Sequence, residues 1–402
     1  MLDQNSEKSL LWIGGGRIVL PDRVCENGSV LIEGARITAV NEPCPVGAKV
    51  RDAHGGYILP GFVDIHVHGG GGADCMDCTA EAIRTVAQTH CQHGTTALSF
   101  TSMTCPDEML AKAFAAFHEA DAAPTGGADL IGIHLEGPFF ASKGNAAGAQ
   151  PTSGQRYPTR EMLEHFIELG RGRIWRWDAA PELPGGDIFA EVMKENGILA
   201  SAGHTAAMAP QAHVAFDMGY SHVTHLYSAT TMGGKVDGVG CSGLNATALI
   251  RDDVTVEVIM DGCHLGREHT LLTYRMKGSD KMVLITDAMR AAGTDATESI
   301  LGNKDNGTRV IIWKDAAHLP DKSFFAGSIG TMDRALRVAH LRYGIPLAET
   351  VKMMSLTPAR LARIDGRKGS LEAGKDADVV IMNDAFEVQE VYVRGELKHQ
   401  AG

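Results

Sequence analysis

Short β-branched runs open the chain. Arg17–Leu20, Ser29–Glu33 and Arg36–Val40 read as strands, with Glu33-Gly34-Ala35-Arg36 as a tight turn between the last two. From residue 63 the pattern changes, and apolar segments of strand length alternate with amphipathic segments of helix length. Val63–Val67, Thr95–Phe100, Leu130–Leu135, Arg173–Ala179, Ile198–Ala202, His222–Leu226, Thr255–Met260 and Met282–Thr286 supply eight strands. Between them, helices are expected over Thr79–His93, closed by Gly94, and Pro106–Ala122, with Pro106 in the first turn. Further helices are expected over Thr159–Leu169, Asp187–Asn196, Ala207–Met218 and Gly266–Lys277.

Eight strands with intervening helices over about 230 residues match the size of a (β/α)8 TIM barrel. An open doubly wound sheet is the alternative α/β architecture, but no Gly-x-Gly-x-x-Gly follows a first strand. Two more helices, Ile329–Tyr343 and Leu347–Arg363, follow the barrel. The tail returns to strands at Ala377–Met382 and Glu390–Val393, punctuated by Gly369, Gly374 and Gly395. The terminal β segments are expected to pair into one small β-sandwich domain. This divides the chain into residues 1–60, a barrel over 61–365, and 366–402.

With 402 residues, 44% hydrophobic and 21% charged, the chain has the composition of an ordinary globular protein able to bury a large core. A net charge of -12 without any dense Lys/Arg block argues against nucleic acid or an anionic membrane as partner. It leaves room for a small anionic substrate, because a pocket is local and net charge is global. No apolar run reaches bilayer-spanning length, and the N-terminus does not read as a signal peptide. The eight cysteines are scattered, so a cytoplasmic location is expected. Cys75-Met-Asp-Cys78 has Cys-x-x-Cys spacing, but no second pair follows at zinc-site distance, and the pair reads as incidental.

The chemistry is carried by strand ends. Phe62-Val-Asp-Ile-His66-Val-His68-Gly69 places two imidazoles two residues apart, hence on one face of an extended segment. Glu136 follows the third strand, His204 ends the fifth, His225 the sixth and Asp287 the eighth. In a closed parallel barrel these ends converge on one rim, where active sites lie. Imidazole and carboxylate suit Zn²⁺ or Fe²⁺, and an open coordination position admits a water whose pKa falls from 15.7 toward about 7. Asp287 is the candidate general base and acid.

These segments resemble the amidohydrolase superfamily, and within it the N-acetylglucosamine-6-phosphate deacetylase family. The resemblance runs from Leu59-Pro-Gly-Phe-Val-Asp64-Ile-His-Val-His68-Gly through His134-Leu-Glu-Gly-Pro138, Ala202-Gly-His204-Thr and Thr224-His225-Leu-Tyr227. It continues through Asp261-Gly-Cys-His264, Leu284-Ile-Thr-Asp287-Ala288 and Ala326-Gly-Ser328 to the closing Gly369-Ser-Leu-Glu-Ala-Gly-Lys-Asp-Ala-Asp378. It implies hydrolysis of the N-acetyl amide of an amino-sugar phosphate, with Glu136, His204 and His225 holding a divalent metal and Asp287 moving the proton. Retention of His66 and His68 leaves room for a second ion, and the family implies a homodimer.

On the substrate side the match is looser. Gly148-Ala149-Gln150 stands where the family has Gly-Ala-His, and Ser228 followed by Ala229 where it has Asn. Lys235 stands in the place of a phosphate-binding Arg, as a point charge without the planar fork. His264 matches a substrate-binding His, and Phe325, Ala326 and Gly327 a substrate-lining loop. Departures confined to this side suggest a related N-acyl sugar, such as N-acetylgalactosamine 6-phosphate, as an alternative substrate. A cyclic-amide hydrolase or nucleobase deaminase on the same scaffold is a second enzyme reading. A non-catalytic homologue that binds a sugar phosphate is the third; it would have lost Asp287 or the metal ligands, and the chain retains them.

Overall fold

A computed structural model describes residues 10–142, 144–151 and 154–402. Its central element is a sheet of eight parallel strands: β1 (Phe62–Asp64), β2 (Thr95–Thr101), β3 (Asp129–Glu136), β4 (Ile174–Ala179), β5 (Leu199–Ala202), β6 (His222–Val223), β7 (Thr255–Ile259) and β8 (Met282–Ile285). Neighbours pair in sequence order from β1 to β8, as the eight apolar runs predict.

The ring closes between β8 and β1 beyond the strands themselves. Asp287 N–H donates to the His66 carbonyl at 3.0 Å, and His68 N–H to that of Ala288 at 2.9 Å. Thr286 donates its hydroxyl to Asp64 at 2.5 Å, and Val67 and Ala288 form a parallel bridge. The residues that seal the barrel are thus the candidate ligands His66, His68 and Asp287 or their immediate neighbours.

Helices pack outside the strands where periodicity predicts them. The helices at Ala80–Gln92 and Arg160–Leu169 begin at Thr79 and Thr159, whose hydroxyls accept from Ala82 and Met162 N–H and satisfy orphan donors of the first turn. The lower barrel interior is apolar, with Val63, Ile65, Ala97, Ile259, Val283 and Ile285 in one cluster. Above it the interior is polar. Arg176, Asp178, His134, His222, Thr224 and Glu257 are all fully buried within the ring of strands.

The terminal segments join as expected. Tyr57–Pro60 runs antiparallel to Val379–Met382, linking N- and C-terminal strands into one eight-stranded sheet, with seven strands along one hydrogen-bonded path and Lys49–Asp52 branching from it. Irregular register around Gly16 lets Leu10–Val19 pair with Lys49–Asp52 along its first half and with Tyr57–Pro60 along its second. This sheet encloses its own core of Ile13, Ile18, Val30, Ile32, Ile58, Val379 and Ile381.

Four features depart from the sequence expectation. An exposed hairpin, Gly233–Val236 with Val239–Ser242, and a three-stranded sheet, Glu298–Leu301, Thr308–Trp313 and Ala316–His318, interrupt the barrel repeat. The helix expected over residues 329–343 is a short α-turn, Met332–Leu336, continuing as a π-helix, Arg337–Arg342. The sixth strand is only two residues long, because the chain turns at His225.

Candidate active site

Glu136 is the last residue of β3 and is 2% exposed. Its Oε1 lies 3.1 Å from His204 Nε2 and 3.0 Å from His225 Nε2. On the other side His66 and His68 bring their Nε2 atoms within 3.3 Å of each other, and to 3.4 and 3.3 Å from Asp287 Oδ1. Two ligand triads result, Glu136–His204–His225 and His66–His68–Asp287, each with ligand atoms within 4.8 Å of one another. They adjoin through Glu136, whose Oε1 is 3.6 Å from His66 Nε2 and whose Oε2 is 3.3 Å from His68 Nε2.

Backbone geometry produces this convergence. His204, His225 and Asp287 all adopt left-handed φ (46°, 28° and 48°), which is uncommon for residues with a Cβ. Each thereby leaves the strand direction just past its end. Gly137, with φ 92°, must be glycine for a further reason: an added Cβ would lie 2.4 Å from Thr104 Oγ1.

The histidine protons are assigned by their partners. His204 Nδ1 donates to the Ala146 carbonyl (3.1 Å), His225 Nδ1 to the Ser228 carbonyl (2.9 Å) and His66 Nδ1 to the Glu257 carboxylate (2.7 Å). Each neutral ring therefore aims an Nε2 lone pair at the carboxylates. A lone pair facing an anionic oxygen at 3.0 Å is repulsive unless a cation lies between them. At His225 and His68 the neighbouring carboxylates favour a proton in that place. Burial opposes protonation of His225, but Glu136 outweighs it and raises the pKa to about 9. His68 behaves likewise: burial opposes its charge, while Asp287 and Glu136 hold it well above the usual imidazole range. Burial pushes the Glu136 carboxyl up, yet the surrounding histidines hold it well below the ordinary carboxylate range. Oriented imidazoles, acidic carboxylates and anchoring partners behind the ligands fit a divalent metal site.

The network beneath the ligands was not anticipated from sequence. Glu257 holds His66 and accepts from Arg176 at 2.5 and 2.9 Å; Arg176 in turn pairs with Asp178 at 3.0 Å, and Asp178 with His134 at 2.8 Å. The signal was present in the chain. Arg176, Asp178 and Glu257 are charges inside segments otherwise apolar enough to be buried strands, where an unpaired charge would be prohibitive.

A cavity of about 420 Å³ opens onto the triads. Of the sequence candidates, His68, Glu136, Ala149, Gln150, His204, His225, Ser228, Ala229, His264, Asp287, Phe325 and Gly327 line it. Ala326 is fully buried and does not reach the cavity surface. Lys235 does not line it either: it sits on the exposed hairpin, within a stretch of four exposed residues. Lys235, expected as a phosphate partner, is thus not brought to this chain's own cavity. A hairpin paired only to itself carries the lysine outward, which a match of sequence position does not reveal.

Residues that sequence reasoning passed over also line the cavity. Lys322 and His318 line the cavity from the segment after β8, and Asn145 and Tyr227 also face it. His264 Nδ1 donates to Asp261 at 2.7 Å, and the Phe325 ring lies 4.2 Å from His264 and 4.6 Å from His318. The β-branched run Thr308–Trp313 was the available hint that this segment is ordered.

Comparison with known proteins agrees with this geometry. A model of the Amidohydrolase family matches residues 57–398. The chain is 33% identical over 386 residues to an N-acetylglucosamine-6-phosphate deacetylase of Bacillus subtilis (strain 168), covering 94% of this chain and 95% of that protein. It is 30% identical over 363 residues to an N-acetylgalactosamine-6-phosphate deacetylase of Escherichia coli O157:H7, covering 90% and 92%. Among solved structures, a Mycobacterium smegmatis N-acetyl-D-glucosamine-6-phosphate deacetylase variant in complex with N-acetyl-D-glucosamine-6-phosphate superposes with a TM-score of 0.88, at 26% identity over 97% of this chain and 99% of that one. The chain belongs to the amidohydrolase family and, within it, to the N-acetylglucosamine-6-phosphate deacetylase family.

Proposed function

We propose that this protein hydrolyses the N-acetyl amide of N-acetylglucosamine 6-phosphate, releasing acetate and glucosamine 6-phosphate. The observation that carries the reading is the pair of adjoining triads around Glu136 that opens onto the cavity. Glu136, His204 and His225 would hold one divalent cation, Zn²⁺ or Fe²⁺, and His66, His68 and Asp287 offer a place for a second. A bound cation supplies Lewis acidity to the amide carbonyl and acidifies a water beside it.

The remaining steps belong to the protein. Asp287 accepts a proton from the attacking water and delivers it to the amide nitrogen as the C–N bond breaks, so that the amine leaves neutral. Gln150 can donate an amide N–H into the cavity but cannot become cationic. Lys322, whose ammonium lies 4.2 Å from the Trp313 ring centroid, supplies positive charge for the 6-phosphate, and His264 lines the same cavity as a further contact for it. Phe325, between two imidazoles, gives the sugar an apolar face.

N-acetylgalactosamine 6-phosphate is the second reading, favoured by Gln150, Ser228 and the displaced Lys235 on the sugar side. A homodimer, with residues crossing between subunits, is part of the proposal, since the Lys235 hairpin is free to reach outward. Eight unpaired cysteines suit a reducing cytoplasm.

Acetate release from metal-analysed protein, measured across N-acetylhexosamines with and without the 6-phosphate, tests the proposal. Turnover should require the metal and fall steeply when the phosphate is removed. Equal rates on unphosphorylated sugars would remove the phosphate role of Lys322 and His264. No acetate from any of these sugars would remove the function.

A further inference from the structure

We infer that Gln150 is a positioning residue that locks the Glu136 carboxylate for cation binding, making residues 144–151 part of the metal-retaining machinery. The inference rests on the reading of Glu136 as a metal ligand. Gln150 is 8% exposed and makes two directional hydrogen bonds. Its Nε2 donates to Glu136 Oε2 at 2.6 Å, and its Oε1 accepts from the Thr104 backbone N–H at 3.0 Å.

Only one orientation of the amide satisfies both partners. A flipped amide would set its oxygen against the carboxylate and its NH2 against another N–H. Thr104 therefore fixes the donor, and the donor fixes the acid.

What the lock prevents is rotation. The terminal torsion of glutamate is broad and roughly two-fold, so an untethered carboxylate would turn easily. With Oε2 held by Gln150, Oε1 stays 3.1 and 3.0 Å from the His204 and His225 Nε2 atoms. One lone pair of Oε2 remains free toward His68 at 3.3 Å. The hold is insensitive to pH, because an amide does not titrate where an imidazole would.

The same segment holds a second ligand. The Ala146 carbonyl accepts from His204 Nδ1 at 3.1 Å, so residues 144–151 orient two of the three groups in the Glu136 triad. Partners behind metal ligands are worth roughly 10–100-fold in metal affinity. By linkage, a cation that depends on this arrangement must stabilise it equally.

The test uses the metal-loaded full chain and the apolar near-isostere Gln150→Met, with release of Zn²⁺ into a chromophoric chelator as readout. The variant should lose metal affinity by roughly 10–100-fold while keeping the wild-type circular dichroism spectrum. Metal retention equal to wild type would overturn the inference. Should the variant not fold, hydrogen exchange on wild-type protein decides. Stripping the metal should speed exchange of the Thr104 amide, and unchanged exchange there overturns the inference. Neither readout uses substrate. Weakened retention in a protein that deacetylates nothing would sink the proposed function alone, whereas full retention in an active deacetylase would sink this inference alone.

Discussion

His66 donates its Nδ1 proton to Glu257 at 2.7 Å, joining a rim ligand to a carboxylate buried inside the barrel. The bond fixes the tautomer that leaves Nε2 free for a metal. Glu257 is simultaneously the partner of Arg176, so one residue serves ligand orientation and charge balance in the barrel interior.

Glu257→Gln should therefore do two things at once. It removes the anionic partner of a buried guanidinium, at a cost of about 3–5 kcal/mol in stability. It also weakens cation binding at His66 and His68 by roughly 10–100-fold. Thermal melting and metal stoichiometry after dialysis read the two effects separately. A destabilised variant with undiminished metal content would limit Glu257 to the first role.

Asp287→Asn separates proton transfer from metal holding. Turnover should fall by a factor of roughly 10²–10⁴, the usual contribution of a positioned acid–base group. The ion at Glu136, His204 and His225 should remain, since Asp287 belongs to the other triad. Loss of all bound metal from this variant would make Asp287 chiefly a ligand.

The phosphate assignment distinguishes two lysines. Lys322→Ala should raise KM for the phosphorylated sugar while leaving KM for its unphosphorylated counterpart nearly unchanged. Lys235→Ala should have the smaller effect, because Lys235 lies on the exposed hairpin and not on the cavity wall. The reverse order in steady-state kinetics would return the phosphate role to Lys235, reaching a neighbouring subunit.

Part of the acid sensitivity should arise away from the catalytic groups, at His90. This imidazole is fully buried with Nε2 donating to the Gly69 carbonyl at 2.9 Å, and burial lowers its pKa from 6.5 to about 4. Between those values the unfolded chain binds a proton that the folded one excludes. Stability is thus full above about pH 6.5 and declines as the pH falls toward about 4, by at most about 3 kcal/mol. In urea melts, His90→Gln should lose less stability than wild type between pH 7 and pH 5. An identical pH dependence would place the acid-labile group elsewhere.

The rim was legible in the sequence because each ligand closes an apolar run, and a parallel barrel converts strand ends into neighbours. His66, His68, Glu136, His204, His225 and Asp287 all lie together for that reason. The polar interior was less legible. Strand periodicity shows that Arg176 and Glu257 are buried but not that they face each other, because pairing across a barrel depends on register and stagger. The cavity wall was least legible. Lys322 and His318 reach it through a three-stranded insertion with no counterpart in the βα repeat, and Lys235 leaves it through a hairpin. Of the two excursions, only the β-branched run Thr308–Trp313 leaves a trace in the chain, and it does not show where Lys322 ends.

Anomalous diffraction at the metal absorption edge, on crystals of metal-replete protein, tests the central claim most directly. A peak within coordination distance of Glu136, His204 Nε2 and His225 Nε2 is the predicted result, with a second beside His66, His68 and Asp287 if two ions bind. Fully loaded crystals with density for the metal elsewhere, and none among those three side chains, would contradict the account.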